Sequence, residues 1–233
     1  NGLLHADRLQ RAELMPHLMG RLSICAYQRF PYLVALHAAA VTNGGTSFVF
    51  PGLSGSGKST LAANLLAKGF RLFSDEIALF NMDGGLVPIP LPLGLKQGSW
   101  DLLTAEFPQI PSLPDNLRFD KQPVRYFREE MIRFAKPQGG EGETCLCFPG
   151  FSPKEAAVIS PVSPVNALLR LSQIGYQVRG LDRDKVDRII DWLLKLRYFE
   201  MTYGSSDEAW SLLNRVVEEP VSDPQAGCVC HAG

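Results

Sequence analysis

The sequence predicts an α/β fold in which helices flank a mixed central sheet and a glycine loop joins one strand to one helix. Three stretches indicate this. Residues 52–60 match G-x-x-x-x-G-K-[ST] at every fixed position. Residues 46–50 ahead of them are β-branched or aromatic, which is typical of a buried strand. Residues 61–68 behind them are rich in helix formers and end at Gly69, a plausible position just past a helix C-terminus.

The glycine loop carries the chemistry of a phosphate site. Glycines let the backbone curl so that successive N–H groups point at phosphate oxygens, and the dipole of the following helix favours an anion. Lys58 would reach the β- and γ-phosphates, and the Ser59 hydroxyl would hold Mg²⁺. We therefore expect ATP and Mg²⁺ as cofactors. The expected nucleotide-binding residues are Gly52, Ser54, Gly55, Ser56, Gly57, Lys58, Ser59 and Thr60.

The composition limits the classes of partner. The chain has 233 residues, of which 45% are hydrophobic and 20% charged, and its formal net charge is −1. Because there is no basic run, no nucleic-acid partner is expected. No apolar run is long enough to span a bilayer, so no membrane partner is expected either. The sequence does not specify an oligomeric state, and a homo-oligomer remains open.

Five cysteines are present, and their odd number in a chain of this size argues against a secreted disulfide scaffold. Together with the nucleotide loop, this predicts a cytoplasmic protein with free thiols. The pairs Cys145/Cys147 and Cys228/Cys230 are spaced more tightly than a usual zinc knuckle. A metal site at these cysteines is therefore the less favoured interpretation.

Three regions are predicted along the chain. Residues 1–30 form an N-terminal packing helix, compatible with a remnant of a larger N-terminal region. Residues 31–219 form the nucleotide-binding domain, and residues 220–233 form a tail expected to be disordered. Pro16 should mark the start or a kink of the first helix. One face of that helix, expected to pack on the domain, consists of Leu14, Leu18, Leu22 and Cys25, with Met15 and Met19 beside them.

A histidine lies close to the glycine loop in the predicted topology. The Asn-Gly-Gly turn at 43–45 predicts a hairpin that pairs residues 38–41 antiparallel with residues 47–50. His37 is then one strand away from the loop. A histidine in an apolar run is more often a core residue, but its position keeps a catalytic role equally open.

Two adjacent carboxylates follow the next predicted strand. Residues 70–73 form that strand, and Asp75 and Glu76 come directly after it, one helix and one strand beyond Lys58. Carboxylates at the end of a strand beside a phosphate loop suit a metal ligand and a general base. The alternative is a pair of acids in a turn or helix cap.

The middle of the chain predicts few regular elements. Residues 77–80 and 86–88 form a hairpin, and the prolines after it make the chain extended. Ser99 is expected to cap a helix over 100–107. Residues 108–143 are proline-rich, with a strand at 124–128, and such a segment can supply contacts to a phosphate site. Its basic residues, each of which could equally be solvated surface charge, include Arg118, Lys121, Arg125, Arg128 and Arg133.

The last third predicts further strands and three helices. Strands are expected at 144–148, 156–159 and 198–203. Ser163-Pro164 opens one helix that ends at Gly175, and Ser205 or Ser206 caps a last helix over 207–218. Between them lies a helix over 184–197. Its predicted inward face consists of Val186, Ile189, Ile190, Leu193 and Leu194.

The run from His37-Ala38 through the loop to Gly69-Phe70-Arg71-Leu72-Phe73-Ser74-Asp75-Glu76 resembles the catalytic domain of HPr kinase/phosphorylase. Within that family it is most similar to the related group that includes lasso-peptide tailoring kinases. The resemblance covers about residues 36–80. It implies a P-loop kinase of the HPr kinase/phosphoenolpyruvate carboxykinase type that uses ATP-Mg²⁺ to phosphorylate a hydroxyl, usually a serine of a peptide or protein.

The resemblance also implies roles for individual residues. Asp75 would accept the hydroxyl proton, Glu76 would assist the metal held by Ser59 and Asp75, and His37 would lie near the γ-phosphate. The family's Asp-Asp pair is Asp75-Glu76 here, and its His-Gly is His37-Ala38. A later family loop that serves phosphorolysis has no convincing counterpart. The resemblance therefore implies neither the reverse reaction nor recognition of HPr itself.

Other nucleotide-dependent classes can be compared with this expectation. A GTPase would carry N-K-x-D and a transporter ATPase an L-S-G-G-Q-like signature, and the sequence contains neither. A kinase acting on a small-molecule hydroxyl and a non-catalytic nucleotide-sensing module remain open alternatives.

Overall fold

The computed structural model describes residues 9–139 and 142–218. In this part of the chain there are thirteen β-strands and six α-helices. The strands are β1 (Val34–Leu36), β2 (Ala38–Thr42), β3 (Thr46–Pro51), β4 (Arg71–Ser74), β5 (Ala78–Phe80), β6 (Leu86–Val87), β7 (Gly94–Lys96), β8 (Asn116–Leu117), β9 (Pro123–Tyr126), β10 (Glu143–Phe151), β11 (Val158–Pro161), β12 (Tyr176–Gln177) and β13 (Arg197–Tyr203). The helices are α1 (Leu14–Arg29), α2 (Lys58–Ala67), α3 (Trp100–Leu103), α4 (Pro164–Ile174), α5 (Arg183–Lys195) and α6 (Ser206–Glu218).

The central sheet is mixed and has the strand order β11-β13-β10-β3-β2-β4. Strands β3, β10 and β13 are parallel neighbours, whereas β2 pairs antiparallel with both β3 and β4. The predicted hairpin is confirmed, since Ala38 to Thr42 pair with Pro51 to Ser47 across the turn. The predicted mixed sheet with flanking helices is therefore confirmed.

Two smaller antiparallel sheets complete the fold. One has the order β12-β1-β5-β6 and contains the predicted hairpin after the acidic pair. The other has the order β7-β9-β8. It gives structure to the proline-rich segment, in which the predicted strand at 124–128 is confirmed as β9.

Both faces of the central sheet are covered by apolar clusters. On one face, Phe48, Phe50 and Cys147 pack with buried side chains of α2 and α6. On the other face, Val49 and Leu146 pack with the first small sheet and with α4 and α5. Alternate residues of each strand thus point into different clusters, as the pleat of a strand requires.

Helix α1 forms where predicted, with Pro16 in its first turn, but its packing face differs from the prediction. Leu14, Leu18 and Leu22 are exposed, as is Cys25. Ser23 is buried, and Ala26 packs beside a small apolar cluster that includes Tyr32 and Leu79. The face of α1 that packs on the domain is therefore rotated by one residue, or about 100°, from the apolar face.

Helix α5 is also rotated from the predicted orientation. Ile189 and Leu193 pack against the core, but Val186, Ile190 and Leu194 are exposed. The face turned inward is centred instead on Lys185 and Trp192. The Trp192 ring packs edge-on against Phe80 with centroids 4.8 Å apart. The Lys185 ammonium donates to the backbone oxygens of Tyr32 and Arg179.

Three other local predictions can be compared with the structure. Ser163 caps α4, and Ser205 accepts the Glu208 amide at the start of α6, so both caps are confirmed. Ser99 directly precedes α3, but the predicted cap is wrong, because its side chain makes no capping hydrogen bond there. The following helix α3 is one turn long rather than extending over 100–107. Strand β11 begins two residues later than predicted.

The predicted tail and the Cys228/Cys230 pair lie outside the described residues, as do residues 1–8. Within the described ranges, no helix is long and apolar enough to cross a membrane.

Candidate active site

The glycine loop, the acidic pair and His37 meet at one edge of the central sheet. Strands β3 and β4 both pair antiparallel with β2, so they run in the same direction and end at the same edge. The loop follows β3, Asp75 follows β4, and His37 immediately precedes β2. Local sequence therefore supplies the three pieces, and the strand order brings them together.

The loop backbone has the conformation that its glycines allow. Gly57, in the left-handed region with φ +86°, directly precedes α2. Gly52 lies under the loop, and its N–H points at the His37 carbonyl, 3.5 Å away. A Cβ at Gly52 would lie 2.5 Å from the Ser56 hydroxyl, so a side chain there would displace that hydroxyl.

Lys58 is folded back into its own loop. Its ammonium donates to the carbonyl oxygens of Gly52, at 2.8 Å, and of Leu53, at 2.9 Å. Burial lowers the Lys58 pKa, and the carboxylates of Glu76 and Asp75 oppose that shift. A cation thus lies in the curl of the loop, where it can exchange carbonyl partners for an anionic ligand.

Asp75 is buried, with 7% of its surface exposed, and only one of its two carboxylate oxygens has a hydrogen-bond partner among the described residues. Its Oδ2 accepts the Gly94 N–H at 3.2 Å. Its Oδ1 is buried and has no hydrogen-bond partner among the described residues. Because a buried unpartnered carboxylate oxygen is costly, this atom is suited to a donor or cation that is not part of the chain.

The surroundings of Asp75 raise its pKa into the neutral range. Burial raises the pKa of Asp75 to about 7, and the Glu76 carboxylate adds to the shift. The Ser59 hydroxyl, the Gly94 amide and the Lys58 ammonium all lower the pKa in opposition. A group with this pKa can exist in both protonation states near neutral pH, which a general base requires.

His37 is half-buried and held in one tautomer. Its Nδ1 lies 3.1 Å from the Glu76 carbonyl oxygen. That oxygen can only accept, so Nδ1 carries the hydrogen and Nε2 of the neutral ring is unprotonated. Burial lowers the His37 pKa, and the Lys58 charge lowers it further, against the Glu76 carboxylate. His37 is thus a neutral side chain at the site rather than a core residue.

The acidic pair and Ser59 offer oxygen ligands. The Glu76 side chain is exposed, and its Oε2 lies 4.0 Å from His37 Nδ1. No group of three or more His, Cys, Asp or Glu side chains gathers around a metal position within the described chain. Mg²⁺ commonly takes one or two carboxylates plus phosphate and water oxygens, so the carboxylate oxygens and the Ser59 hydroxyl fit this ion.

These residues line a cleft of about 880 Å³. The predicted residues that line it are His37, Ser54, Gly55, Ser56, Gly57, Lys58, Ser59, Thr60, Asp75 and Glu76. Gly52 does not line it and instead supports the loop from below. The ends of β10 and β13 form the far wall with Phe151 and Tyr203.

Several residues of the site are not apparent from the sequence. The Gly94 amide binds Asp75, and the Lys96 ammonium donates to the Ser54 hydroxyl at 2.9 Å. The Thr60 hydroxyl lies 2.5 Å from the Ser99 hydroxyl. Gly94 and Lys96 belong to β7, which the glycine and proline content of this stretch does not predict. No motif links these residues to the loop, because the contacts are non-local.

Of the basic residues in the proline-rich segment, only Arg118 lines the cleft. Its buried Nε makes no hydrogen bond within the described residues, although the Asp120 carboxylate is 3.5 Å away. Arg125 has a structural role instead: it bonds Asp115 and stacks on Trp100.

The cysteine pair of β10 is part of the core rather than of a site. Cys145 and Cys147 are fully buried in the same apolar cluster, on one face of the strand.

Comparison with known proteins gives no family assignment. No protein-family model matches this chain, and no curated protein matches it. The interpretation of the site therefore rests on its residues and their geometry.

Proposed function

We propose that this protein is a P-loop kinase of the HPr kinase/phosphoenolpyruvate carboxykinase type that transfers the γ-phosphoryl group of ATP to a hydroxyl of a peptide or protein. The observation that carries the proposal is the meeting of Lys58 and Asp75 in one cleft, where Asp75 presents a buried, unpartnered oxygen. The proposal requires a compartment that contains ATP, such as the cytoplasm.

The residues divide between binding and proton transfer. The loop amides and Lys58 would bind the β- and γ-phosphates, with the ammonium leaving the carbonyls of Gly52 and Leu53. Mg²⁺, when held by the Ser59 hydroxyl with Asp75 and Glu76, would neutralise phosphate charge. The acceptor hydroxyl would donate its hydrogen bond to the free oxygen of Asp75.

In the reaction, Asp75 takes the hydroxyl proton as the acceptor oxygen forms its bond to the γ-phosphorus. The bond between that phosphorus and the β–γ bridging oxygen breaks, and ADP leaves with the electron pair. Lys58 offsets the charge on the phosphate oxygens. Neutral His37 adds no second cation and presents an unprotonated nitrogen at the cleft.

The unpartnered Asp75 oxygen favours catalysis over nucleotide sensing. A sensing module needs the phosphate loop and a metal ligand, whereas a buried carboxyl whose pKa lies near 7 can in addition accept a proton from a bound hydroxyl.

The test is to incubate the protein with ATP-Mg²⁺ and candidate peptides and to record a phosphate mass shift. We expect Asp75→Asn to keep the nucleotide Kd within a few-fold and to lower transfer by about 10²–10⁴-fold, because it removes the proton acceptor. Lys58→Ala should lose both nucleotide binding and transfer. The matched control is Asp101→Asn, at an exposed carboxyl outside the cleft. Transfer by Asp75→Asn at the wild-type rate would contradict the role of Asp75.

A further inference from the structure

A second cavity adjoins the nucleotide cleft on the other side of the acidic pair. Its volume is about 600 Å³, and it lies between α1, the end of β4 and the sheet formed by β7, β8 and β9. The two cavities share their boundary residues, which are His37, Asp75, Glu76, Gly94 and Arg118. The group proposed as the base thus faces a nucleotide cleft on one side and a separate space on the other.

Apart from that boundary, apolar residues outnumber polar ones in the lining of the second cavity, the polar ones being Glu13, His17, Arg21, Ser23, Ser74 and Tyr126. The apolar side chains include Pro16, Met19, Ile24, Ile77, Leu91 and Val124. A sugar or another polyol would place part of its hydroxyl-bearing surface against these apolar side chains, where it has no hydrogen-bond partners. Apolar side chains, in contrast, would lose water-exposed area there.

An aromatic side chain at the cavity is exposed. Phe119 lines the cavity, and 87% of its surface is accessible. It follows Arg118, which lies at the boundary between the cavities. A large apolar side chain beside an apolar cavity marks a binding surface more often than an isolated exposed residue does.

From these observations we infer that the second cavity is the acceptor site, and that it binds a peptide segment whose hydroxyl-bearing residue is flanked by apolar side chains. The hydroxyl faces Asp75, and the neighbouring side chains occupy the space against α1 and Phe119. This inference rests on the proposed function in one respect, namely that the bound segment is the phosphoryl acceptor. The cavity and its apolar lining are independent of it.

Helix α1 offers a variant that fills the cavity. Gly20 lines the cavity and is exposed, and no heavy atom lies within 4 Å of the position that a Cβ would take there, so a side chain meets open space. Gly20→Phe should fill part of the acceptor site. Leu18→Phe is the matched control, since Leu18 is exposed on α1 and does not line the cavity.

The experiment measures binding without turnover. The protein, with a non-hydrolysable ATP analogue and Mg²⁺, is titrated with two short labelled peptides that have a central serine. One peptide has leucine and phenylalanine beside the serine, and the other has asparagine and glutamine. We expect the apolar peptide to bind about tenfold more tightly. Gly20→Phe should weaken its binding about tenfold, and Leu18→Phe should not.

A second variant removes a contact instead of filling space. Phe119→Ala should weaken the apolar peptide several-fold, whereas Phe30→Ala, at an exposed phenylalanine outside the cavity, should not. Nucleotide affinity is measured for every variant, so that a misfolded protein is recognised. Equal binding of both peptides, preference for the polar peptide, or equal effects of Gly20→Phe and Leu18→Phe would overturn the inference.

Failure of this inference is distinguishable from failure of the proposed function. If the peptides bind as expected but ATP-Mg²⁺ yields no phosphoserine, the binding site stands and the kinase proposal fails. If both peptides are phosphorylated equally by the wild type and by Gly20→Phe, the kinase proposal stands and the acceptor site lies elsewhere.

Discussion

At the scale of single residues, the candidate site centres on one carboxyl group. Asp75 has one oxygen fixed by the Gly94 amide and the other buried without a partner among the described residues. Lys58 and His37 beside it have lowered pKa values for the same first reason, burial. Water exclusion therefore brings the carboxyl pKa upward and the two basic pKa values downward.

The raised pKa of Asp75 predicts a pH-dependent cost to stability. Its folded pKa of about 7 exceeds its ordinary value of 3.8, so the folded state holds this proton more tightly. The contribution of this proton to the stability of the folded state is fully present below pH 3.8 and is lost as the pH rises through about 7. Asp75→Asn has no such loss, so its stability advantage over the wild type should grow by roughly 2–4 kcal/mol between about pH 4 and pH 8.

Urea unfolding of the nucleotide-free protein across this pH range measures the difference. Asp101→Asn, which changes an exposed carboxyl, should show no such pH-dependent gain. A constant difference between Asp75→Asn and the wild type would show that the folded pKa is not raised.

At the scale of elements, two helices present faces that differ from their apolar stripes. In α1 and α5 alike, leucine, isoleucine or valine side chains at helical spacing are exposed. The neighbours decide the orientation. Around α5, Trp192 packs against the Phe80 ring, and the Lys185 ammonium donates hydrogen bonds to two carbonyl groups. Amphipathic spacing identifies a helix reliably, but the inward face depends on contacts from distant parts of the chain.

The rotation of α5 predicts unequal effects of two substitutions on the same helix. Trp192 is 5% exposed and Ile190 is 48% exposed. Trp192→Ala should lower the free energy of unfolding by about 3–5 kcal/mol, because it leaves a cavity. Ile190→Ala should change it by about 0.5 kcal/mol or less. Urea unfolding compares the two, and a larger loss for Ile190→Ala would show that the predicted face is the one that packs.

At the scale of the whole molecule, the central sheet is covered on both faces and ends at the site. The parallel strands β3, β10 and β13 run toward the cleft, so the core that stabilises the sheet also fixes the loop and the far wall. The edge of the sheet that carries the candidate site is therefore anchored in the buried core of the described structure.

The buried thiols of β10 report on the integrity of this core. Burial raises the pKa of Cys145 to about 12 and that of Cys147 well above its usual value, whereas Cys25 is exposed. We expect iodoacetamide to alkylate Cys25 readily, and to alkylate Cys145 and Cys147 only on unfolding, at least about 10³-fold more slowly in native conditions. Peptide mass spectrometry along a urea gradient measures this. Rapid labelling of Cys145 in the native protein would contradict a closed central sheet.

The sequence by itself determined the local structure around the nucleotide site. The glycine loop, the strand before it, the helix after it and the turn at 43–45 were all predictable, because glycine conformations, strand composition and hairpin geometry act over a few residues. The hairpin also placed His37 near the loop. Asp75 could be proposed from its position at the end of a strand.

Only the tertiary structure decided what surrounds these residues. The bond from Gly94 to Asp75, the approach of Arg118 and the second cavity beside α1 join segments that are far apart in the chain. The inward faces of α1 and α5 belong to the same category. These features depend on long-range packing, for which neither composition nor periodicity contains a local signal. The sequence thus predicted a phosphate site, and the fold gave it a buried carboxyl with space for an acceptor.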